Sequence, residues 1–215
     1  MPYRNLQDKR AIVTGASSGI GWHLVKQLAT EGVSVIACAR RADLLEDLAN
    51  QIQSQGGTCI PVSGDITSES TRREIIDVCN REFGGLDILI NNAGIGAMGR
   101  FDESETARIR QVFEVNFFAV AEMIRDSLPS LKQGSSPIIV NMSSVLAHRA
   151  TPLKSEYCAS KFALHGFSDA IRAELTNDEI DLLLVSPSTT DSEFFDHAIE
   201  DTTGKNWKAR GAMPP

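Results

Sequence analysis

Apolar strand-like runs and helix-period segments alternate along almost the whole 215-residue chain, and few folds accept that order. Arg10 to Val13 reads as a strand, followed by a glycine turn and a helix through Leu24, Val25 and Leu28. Ser34 to Ala39 reads as a second strand. Leu44, Leu45, Leu48 and Ile52 then recur at the spacing of one buried helix face. Further strands are predicted near Cys59–Val62, Leu86–Asn91, Pro137–Asn141 and Asp181–Val185, and helices near Ser70–Phe83, Glu105–Leu131 and Ser155–Leu175. Short strands separated by roughly ten or more helical residues cannot pair as hairpins, so right-handed crossovers and a parallel sheet covered on both faces are required. The expected fold is a doubly wound α/β sheet in a single domain over residues 1–215.

Composition narrows the function classes. Hydrophobic residues make up 42% and charged residues 23%, enough for a sizeable core. The net charge is −7, and the basic pairs Arg40-Arg41 and Arg72-Arg73 form no stripe, so nucleic acid is disfavoured as a partner. No uninterrupted apolar stretch exceeds five residues (Phe117–Ala121 is one), against the ~20 that a membrane span needs. The N-terminus MPYRNLQDKR carries no apolar segment of the signal-peptide kind, so the expectation is a cytoplasmic chain without a membrane span. Cys38, Cys59, Cys79 and Cys158 form no CxxC pair and read as free thiols, and no metal is expected. Asn141-Met142-Ser143 fits the glycosylation pattern, but it ends an apolar strand and is discounted.

On the long helix Glu105–Leu131, Ile109, Val112, Phe113, Phe117, Val120, Ala121, Met123 and Ile124 make one broad apolar stripe at ~100° per residue. Asn116 lies inside the stripe and should be buried. The ordinary reading of such a residue is a satisfied group that ties neighbouring backbone together. Phe118 lies on the charged side beside Gln111, Glu114 and Arg125, exposed in a monomer and suited to a subunit interface.

Thr14-Gly15-Ala16-Ser17-Ser18-Gly19-Ile20-Gly21 follows the first strand and opens the first helix. Glycines there allow a tight turn and close approach to a pyrophosphate, and the helix N-terminus offers it free N–H groups. With this TGxxxGxG spacing the chain resembles the short-chain dehydrogenase/reductase family, and the resemblance continues in the family's order. Asp65 follows the third strand, Asn91-Asn92-Ala93-Gly94 gives NNAG, and Asn116 falls in the long helix. Ser144 ends the fifth strand, and Tyr157-Cys158-Ala159-Ser160-Lys161 gives YxxxK. The motifs run from about residue 10 to about residue 192 and imply a Rossmann fold.

The resemblance implies an oxidoreductase that exchanges hydride between NADP(H) and a secondary alcohol or ketone, with Asn116, Ser144, Tyr157 and Lys161 as catalytic residues. Tyr157 and Lys161, four apart, share a helix face. A neighbouring ammonium lowers a phenol's pKa, so Tyr157 is expected to act as general acid or base with its pKa reduced by Lys161 and a positive nicotinamide. Ser144 would hydrogen-bond the substrate oxygen. By resemblance, Lys161 also holds the nicotinamide ribose and Asn116 positions a relay water. Cofactor contacts are expected from Gly15, Ser17, Ser18, Gly19, Ile20, Gly21, Arg40, Asp65, Ile66, Asn92, Ala93, Gly94, Tyr157, Lys161, Pro187, Thr189 and Ser192. Arg40 follows the second strand, where an acidic residue would select NAD, and a guanidinium there suits a 2′-phosphate. NADP is therefore expected over NAD.

Ile95, Met98, Val145, Leu146 and Ala147 suggest an apolar substrate wall, and His148 reads as a solvent-facing loop residue. The family's usual Pro-Gly turn is Pro187-Ser188 here, a substitution that costs strain if φ is positive. The family's last helix and strand are expected to be missing. Homodimers or homotetramers through the long helices are expected by resemblance. The alternative reading is an NAD(P)-binding sensor or scaffold without turnover.

Overall fold

The computed structural model describes residues 4–188 together with 190, 194, 198 and 199. Six strands, β1 (Arg10–Thr14), β2 (Ser34–Ala39), β3 (Cys59–Ser63), β4 (Ile88–Asn91), β5 (Ile138–Met142) and β6 (Asp181–Val185), form one parallel sheet in the order β3-β2-β1-β4-β5-β6. This is the doubly wound, Rossmann-type order. The chain runs outward from β1 in one direction and then returns to build β4, β5 and β6 on the other side, which leaves a crevice at the C-terminal ends of β1 and β4.

Side chains alternate across the sheet, as the two-residue strand period demands. Ala11, Val13, Val35 and Ala37 pack with Val25, Leu28, Leu45 and Leu48 from helices α1 (Gly19–Thr30) and α2 (Ala42–Ser54). Ile12 and Ile36 point the other way, against Ile75, Cys79, Met123 and Leu164. Those residues come from α3 (Glu69–Phe83), α5 (Ala119–Leu131) and α6 (Ser155–Glu174). All four cysteines are buried and free. Burial pushes the thiols of Cys38, Cys59 and Cys79 up to about 12, which suits packing groups rather than nucleophiles. Among the described residues no helix is long and apolar enough to cross a membrane.

The long helix predicted over Glu105–Leu131 is not continuous. It comprises α4 (Thr106–Phe113), a π turn over Glu114–Phe118, and α5. The Ala119 N–H reaches back five residues to the Glu114 carbonyl. A uniform 3.6-residue wheel cannot register that extra residue, which accommodates the polar contacts of Asn116 described below. Phe118 is 47% exposed, as its wheel position predicts.

At the end of the sheet away from the crevice, Asp87 ties three segments together. Its carboxylate accepts from the Arg10 backbone N–H at 3.0 Å, from Arg10 Nε and Nη2 at 2.8 Å each, and from the Ser135 N–H at 2.6 Å. Burial pushes this carboxyl up, but the Arg10 and Ser135 bonds outweigh it and hold the group below its usual range. A carboxylate so held contributes stability above its unfolded pKa, and the contribution disappears as pH falls through the folded value. Asp87→Asn should therefore cost about 2–3 kcal/mol at pH 7. That is a fall of roughly 5–10 °C in the thermal midpoint for a chain of this size. The gap from the parent protein should narrow as pH drops below 3.8. A gap that stayed constant down to low pH would show that the charge at Asp87 is not what matters.

Candidate active site

The turn after β1 is locked to the segment after β4. Gly15 has φ +67°, and a Cβ there would lie 2.7 Å from Ala93 Cα. A Cβ on Gly21 would lie 2.3 Å from the Gly15 carbonyl oxygen. Asn92 and Ala93 donate their backbone N–H groups to Thr14 Oγ1 at 3.1 and 3.0 Å, and Asn92 Nδ2 donates to the carbonyls of Thr14 and Gly15 at 3.0 Å each. One layer deeper, Asn91 Nδ2 donates to Asn141 Oδ1 at 2.9 Å, and Asn141 Nδ2 to Ser168 Oγ at 3.0 Å. This buried polar chain runs from β4 through β5 to α6.

Above this lock opens a cavity of about 610 Å³. On one side its wall is Gly15, Ser17, Ser18, Gly19, Ile20, Arg40, Asp65, Ile66, Asn92, Ala93 and Gly94, all expected from sequence as cofactor contacts; on the other are Ser144, Tyr157, Lys161 and Pro187. Two expected residues stand behind the wall. Gly21 is buried where only a glycine allows α1 to pack on the turn, so it acts through packing. Asn116 is fully buried. Thr189 and Ser192 lie outside the described residues. Asp65 Oδ1 accepts from the Thr67 N–H at 3.0 Å and from its hydroxyl at 2.9 Å, which shapes the loop after β3.

Helix α1 begins without a side-chain cap. Ser18 holds the N-cap position but makes no capping bond, and no acidic residue occupies the first turn. Its hydroxyl instead accepts from Arg41 Nη2 at 2.8 Å, while Ser17 Oγ accepts from Arg41 Nε and Nη2 at 3.2 and 3.1 Å. The uncapped amides and the helix dipole suit an anion. Arg40, expected as a cofactor contact, lies exposed on the cavity wall. Its neighbour Arg41 is the residue that reaches the glycine turn, signalled in the sequence by the Arg40-Arg41 pair alone.

At the other end, Tyr157 and Lys161 share one face of α6 as predicted, with Lys161 Nζ 5.8 Å from the phenol ring centre. Lys161 donates to the Met142 carbonyl at 2.8 Å. Phe194 packs edge-on against Tyr157 with ring centres 5.7 Å apart. Ser144 Oγ accepts from the Leu146 N–H at 3.1 Å and also hydrogen-bonds the phenol. The expected depression of the Tyr157 pKa is not found in the free protein. Burial pushes the phenol up to about 12, and the Ser144 bond offsets only part of that. Burial likewise pushes Lys161 down to about 8, weakening the ammonium that was expected to lower the phenol. Desolvation outweighs the charge pairing that spacing alone suggests.

The Asn116 side chain makes three hydrogen bonds. Oδ1 accepts from the Ile95 N–H at 2.8 Å, and Nδ2 donates to the Ile95 carbonyl and Ser160 Oγ at 3.0 Å each. Ser160 Oγ donates in turn to the Tyr157 carbonyl at 2.8 Å. The amide thus ties the post-β4 loop to α6.

Ile95, Val145 and Leu146 line the cavity, whereas Met98 and Ala147 are buried behind it. Val115, Thr151, Lys154 and Phe194 also line the wall and carried no recognisable sequence signal. Ser188 is not among the non-glycine residues with positive φ, so replacing the usual glycine introduces no backbone strain. His148 is exposed, stacked edge-on against His165 at 4.7 Å and within 2.9 Å of Ser186 Oγ. Among the described residues no His/Cys/Asp/Glu cluster suits a metal.

Known proteins share this arrangement. The short chain dehydrogenase family profile matches residues 9–203. A short chain dehydrogenase of Pseudocercospora fijiensis is 38% identical over 190 residues, covering 87% of this chain and 62% of the relative. 11-beta-hydroxysteroid dehydrogenase 1A of Arabidopsis thaliana is 34% identical over 97% of this chain and 58% of its own length. The chain thus spans about three-fifths of the length of these curated relatives. A short chain dehydrogenase from Burkholderia cenocepacia, solved with NADP, superposes with a TM-score of 0.84 at 34% identity, covering 89% of this chain and 78% of that one. A Burkholderia phymatum short chain dehydrogenase/reductase, solved with NAD, gives 0.88 at 25% identity, covering 98% and 77%. With the profile spanning nearly the whole chain and the crevice built as its motifs require, the protein belongs to the short-chain dehydrogenase/reductase family.

Proposed function

We propose that the chain is an NADP(H)-dependent oxidoreductase that interconverts a ketone and a secondary alcohol. The observation that carries this reading is the joining of an anion-binding turn to a Ser144–Tyr157–Lys161 cluster in one cavity. The glycine cradle fits the cofactor: side chains at Gly15 or Gly21 would collide with backbone, and the α1 N-terminus has no carboxylate to repel a pyrophosphate. Gly15, Ser17 to Ile20 and Asn92 to Gly94 would hold the dinucleotide, with Asp65 and Ile66 beside the adenine and Pro187 beside the nicotinamide. When bound, the cofactor supplies or accepts the hydride. Arg40 and Arg41 offer two guanidinium forks at the end of β2 where an NAD-selecting carboxylate would stand, which favours the 2′-phosphate.

In the reduction direction Tyr157 holds the proton. With its pKa pushed up to about 12, the phenol is neutral at pH 7 and able to donate to an oxygen that becomes an alkoxide. Ser144, which hydrogen-bonds the phenol in the free protein, turns its hydroxyl to the same oxygen when substrate binds. Lys161 at about 8 is mostly cationic at pH 7, and its charge favours proton loss from Tyr157 as the alcohol forms. Asn116 holds Ile95 and Ser160, and through Ser160 the Tyr157 backbone. We also propose that the protein acts in the cytoplasm, and that α4 and α5, with exposed Phe118, form a contact between copies.

Titration with NADPH and NADH tests the cofactor assignment. NADPH should bind more tightly, and Arg41→Ala should narrow the ratio about tenfold or more, the scale of one charge-assisted hydrogen bond. Tighter NADH binding by the parent protein would overturn the assignment. In a screen of ketones with the preferred cofactor, Tyr157→Phe should abolish turnover while cofactor affinity changes less than about twofold; undiminished turnover would falsify the proton-donor role. Binding without any turnover by the parent would instead favour the sensor reading. The rate of ketone reduction should fall above about pH 8 as Lys161 loses its proton, and a flat profile to pH 10 contradicts the charge role given to Lys161.

Lys161 should also oppose folding of the free protein. Its folded pKa of about 8 lies below the usual lysine value of 10.5, so the penalty is complete below pH 8 and relaxes as pH rises to 10.5. The difference corresponds to about 3 kcal/mol, set against about 1 kcal/mol from its bond to Met142. Lys161→Met should therefore raise the thermal midpoint at pH 7 by roughly 4–8 °C while destroying turnover. A lower midpoint would show that the ammonium is net stabilising.

A further inference from the structure

We propose that the buried Arg108–Glu156 ion pair is a positioning device for Tyr157, an inference that rests on the reading of Tyr157 as proton donor. The Arg108 side chain is 0% exposed and that of Glu156 is 2%. Arg108 Nη2 and Nε donate to Glu156 Oε1 at 2.6 and 3.1 Å, and Ser104 Oγ donates to the same oxygen at 3.1 Å. Ser155 Oγ donates to Oε2 at 2.8 Å, and Arg108 Nη1 to the Met98 carbonyl at 3.4 Å. Burial pushes the Glu156 carboxyl up, but the Arg108 bonds and charge, together with bonds from Ser155 and the Glu156 backbone N–H, outweigh it and hold the group below its usual range.

A buried ion pair gains little over apolar side chains of the same volume, so stability alone does not account for this one. Its location does. Glu156 is the chain neighbour of Tyr157 in the first turn of α6, where backbone N–H groups lack partners within the helix. The α6 N-cap, Lys154, makes no side-chain capping bond, so the turn that carries the phenol is not held in that way. The guanidinium supplies a hold from outside. It sits on α4, which leads into the π turn around Asn116, and it also grips Met98 in the loop that places Ile95 on the cavity wall. One planar group thereby sets the phenol's helical turn relative to both the post-β4 loop and the Asn116 anchor.

The chain contains two tyrosines, Tyr3 and Tyr157, so a Tyr3→Phe background labelled with 3-fluorotyrosine gives one fluorine resonance, from position 157. A single narrow signal is expected in that background. In Glu156→Gln, and in the double variant Arg108→Met/Glu156→Leu, the signal should split or broaden. Turnover in the ketone screen should fall about ten- to a hundredfold, the scale expected of a misplaced reacting group, with NADPH affinity within about twofold of the parent. The double variant removes both charges and should melt closer to the parent than Glu156→Gln does. A folded double variant with an unchanged signal and turnover within about twofold overturns the proposal and leaves the pair with a packing role only. If the double variant does not fold, Ser104→Ala, which deletes one bond to Glu156 and keeps both charges, is read by the same resonance; an unchanged signal there overturns the proposal too. A parent protein inactive toward every ketone tested overturns the oxidoreductase reading instead, and the fluorine signal still decides the positioning role.

Discussion

The contact between the β1–α1 turn and the segment after β4 is the constraint on which the rest of the site depends. Thr14 Oγ1 accepts two backbone N–H groups from Asn92 and Ala93, and the Asn92 amide returns bonds to the carbonyls of Thr14 and Gly15. These groups sit at the reversal of strand order, where neighbouring crossovers leave in opposite directions and no helix covers the strand ends. A parallel sheet would otherwise leave polar backbone unsatisfied there. The lock satisfies that backbone from within the two loops, leaving the uncapped start of α1 turned to the cavity. The steric demand at Gly15 and Gly21 follows from the same closeness.

The second constraint is dryness. Tyr157 and Lys161 are 5% and 4% exposed, and both are displaced toward their neutral forms by that burial. A free protein arranged in this way holds a protonated phenol beside a weakened ammonium. The cost is carried by scaffolding that does no chemistry: the Asn91–Asn141–Ser168 chain, the Asn116–Ser160 link, and the Asp87–Arg10 clasp at the far end of the sheet. Rigid support for the reacting groups is the usual physical requirement of a pre-organised site.

The six strands and the doubly wound order were legible in the sequence because apolar runs such as Val35–Ala39 and the helical spacing of Leu45, Leu48 and Ile52 are periodic signals, and parallel crossovers admit few topologies. The cluster of Ser144, Tyr157 and Lys161 was legible for a different reason, since motif spacing fixes which residues share a helix face or strand end. What stayed hidden depended on distances between segments remote in sequence. The π turn at Glu114–Phe118 is a one-residue departure that hydrophobic periodicity averages away. Arg41 rather than Arg40 reaches Ser17 and Ser18, a contact between segments more than twenty residues apart. The upward shift of Tyr157 could not be read from its spacing to Lys161, because spacing reports proximity and carries no measure of desolvation.

Asn116 shows how a structural and a functional reading can converge on one residue. Its burial in an apolar stripe has the ordinary explanation of a satisfied amide tying backbone together, and its three side-chain bonds are of that kind. Yet the groups it ties are Ile95 on the cavity wall and Ser160, which holds the Tyr157 carbonyl. The amide therefore links one wall of the cavity to the helix that carries the phenol. The π turn gives that link a geometric basis, because the widened backbone lets a side chain on the inner face of a helix address two neighbouring segments at once.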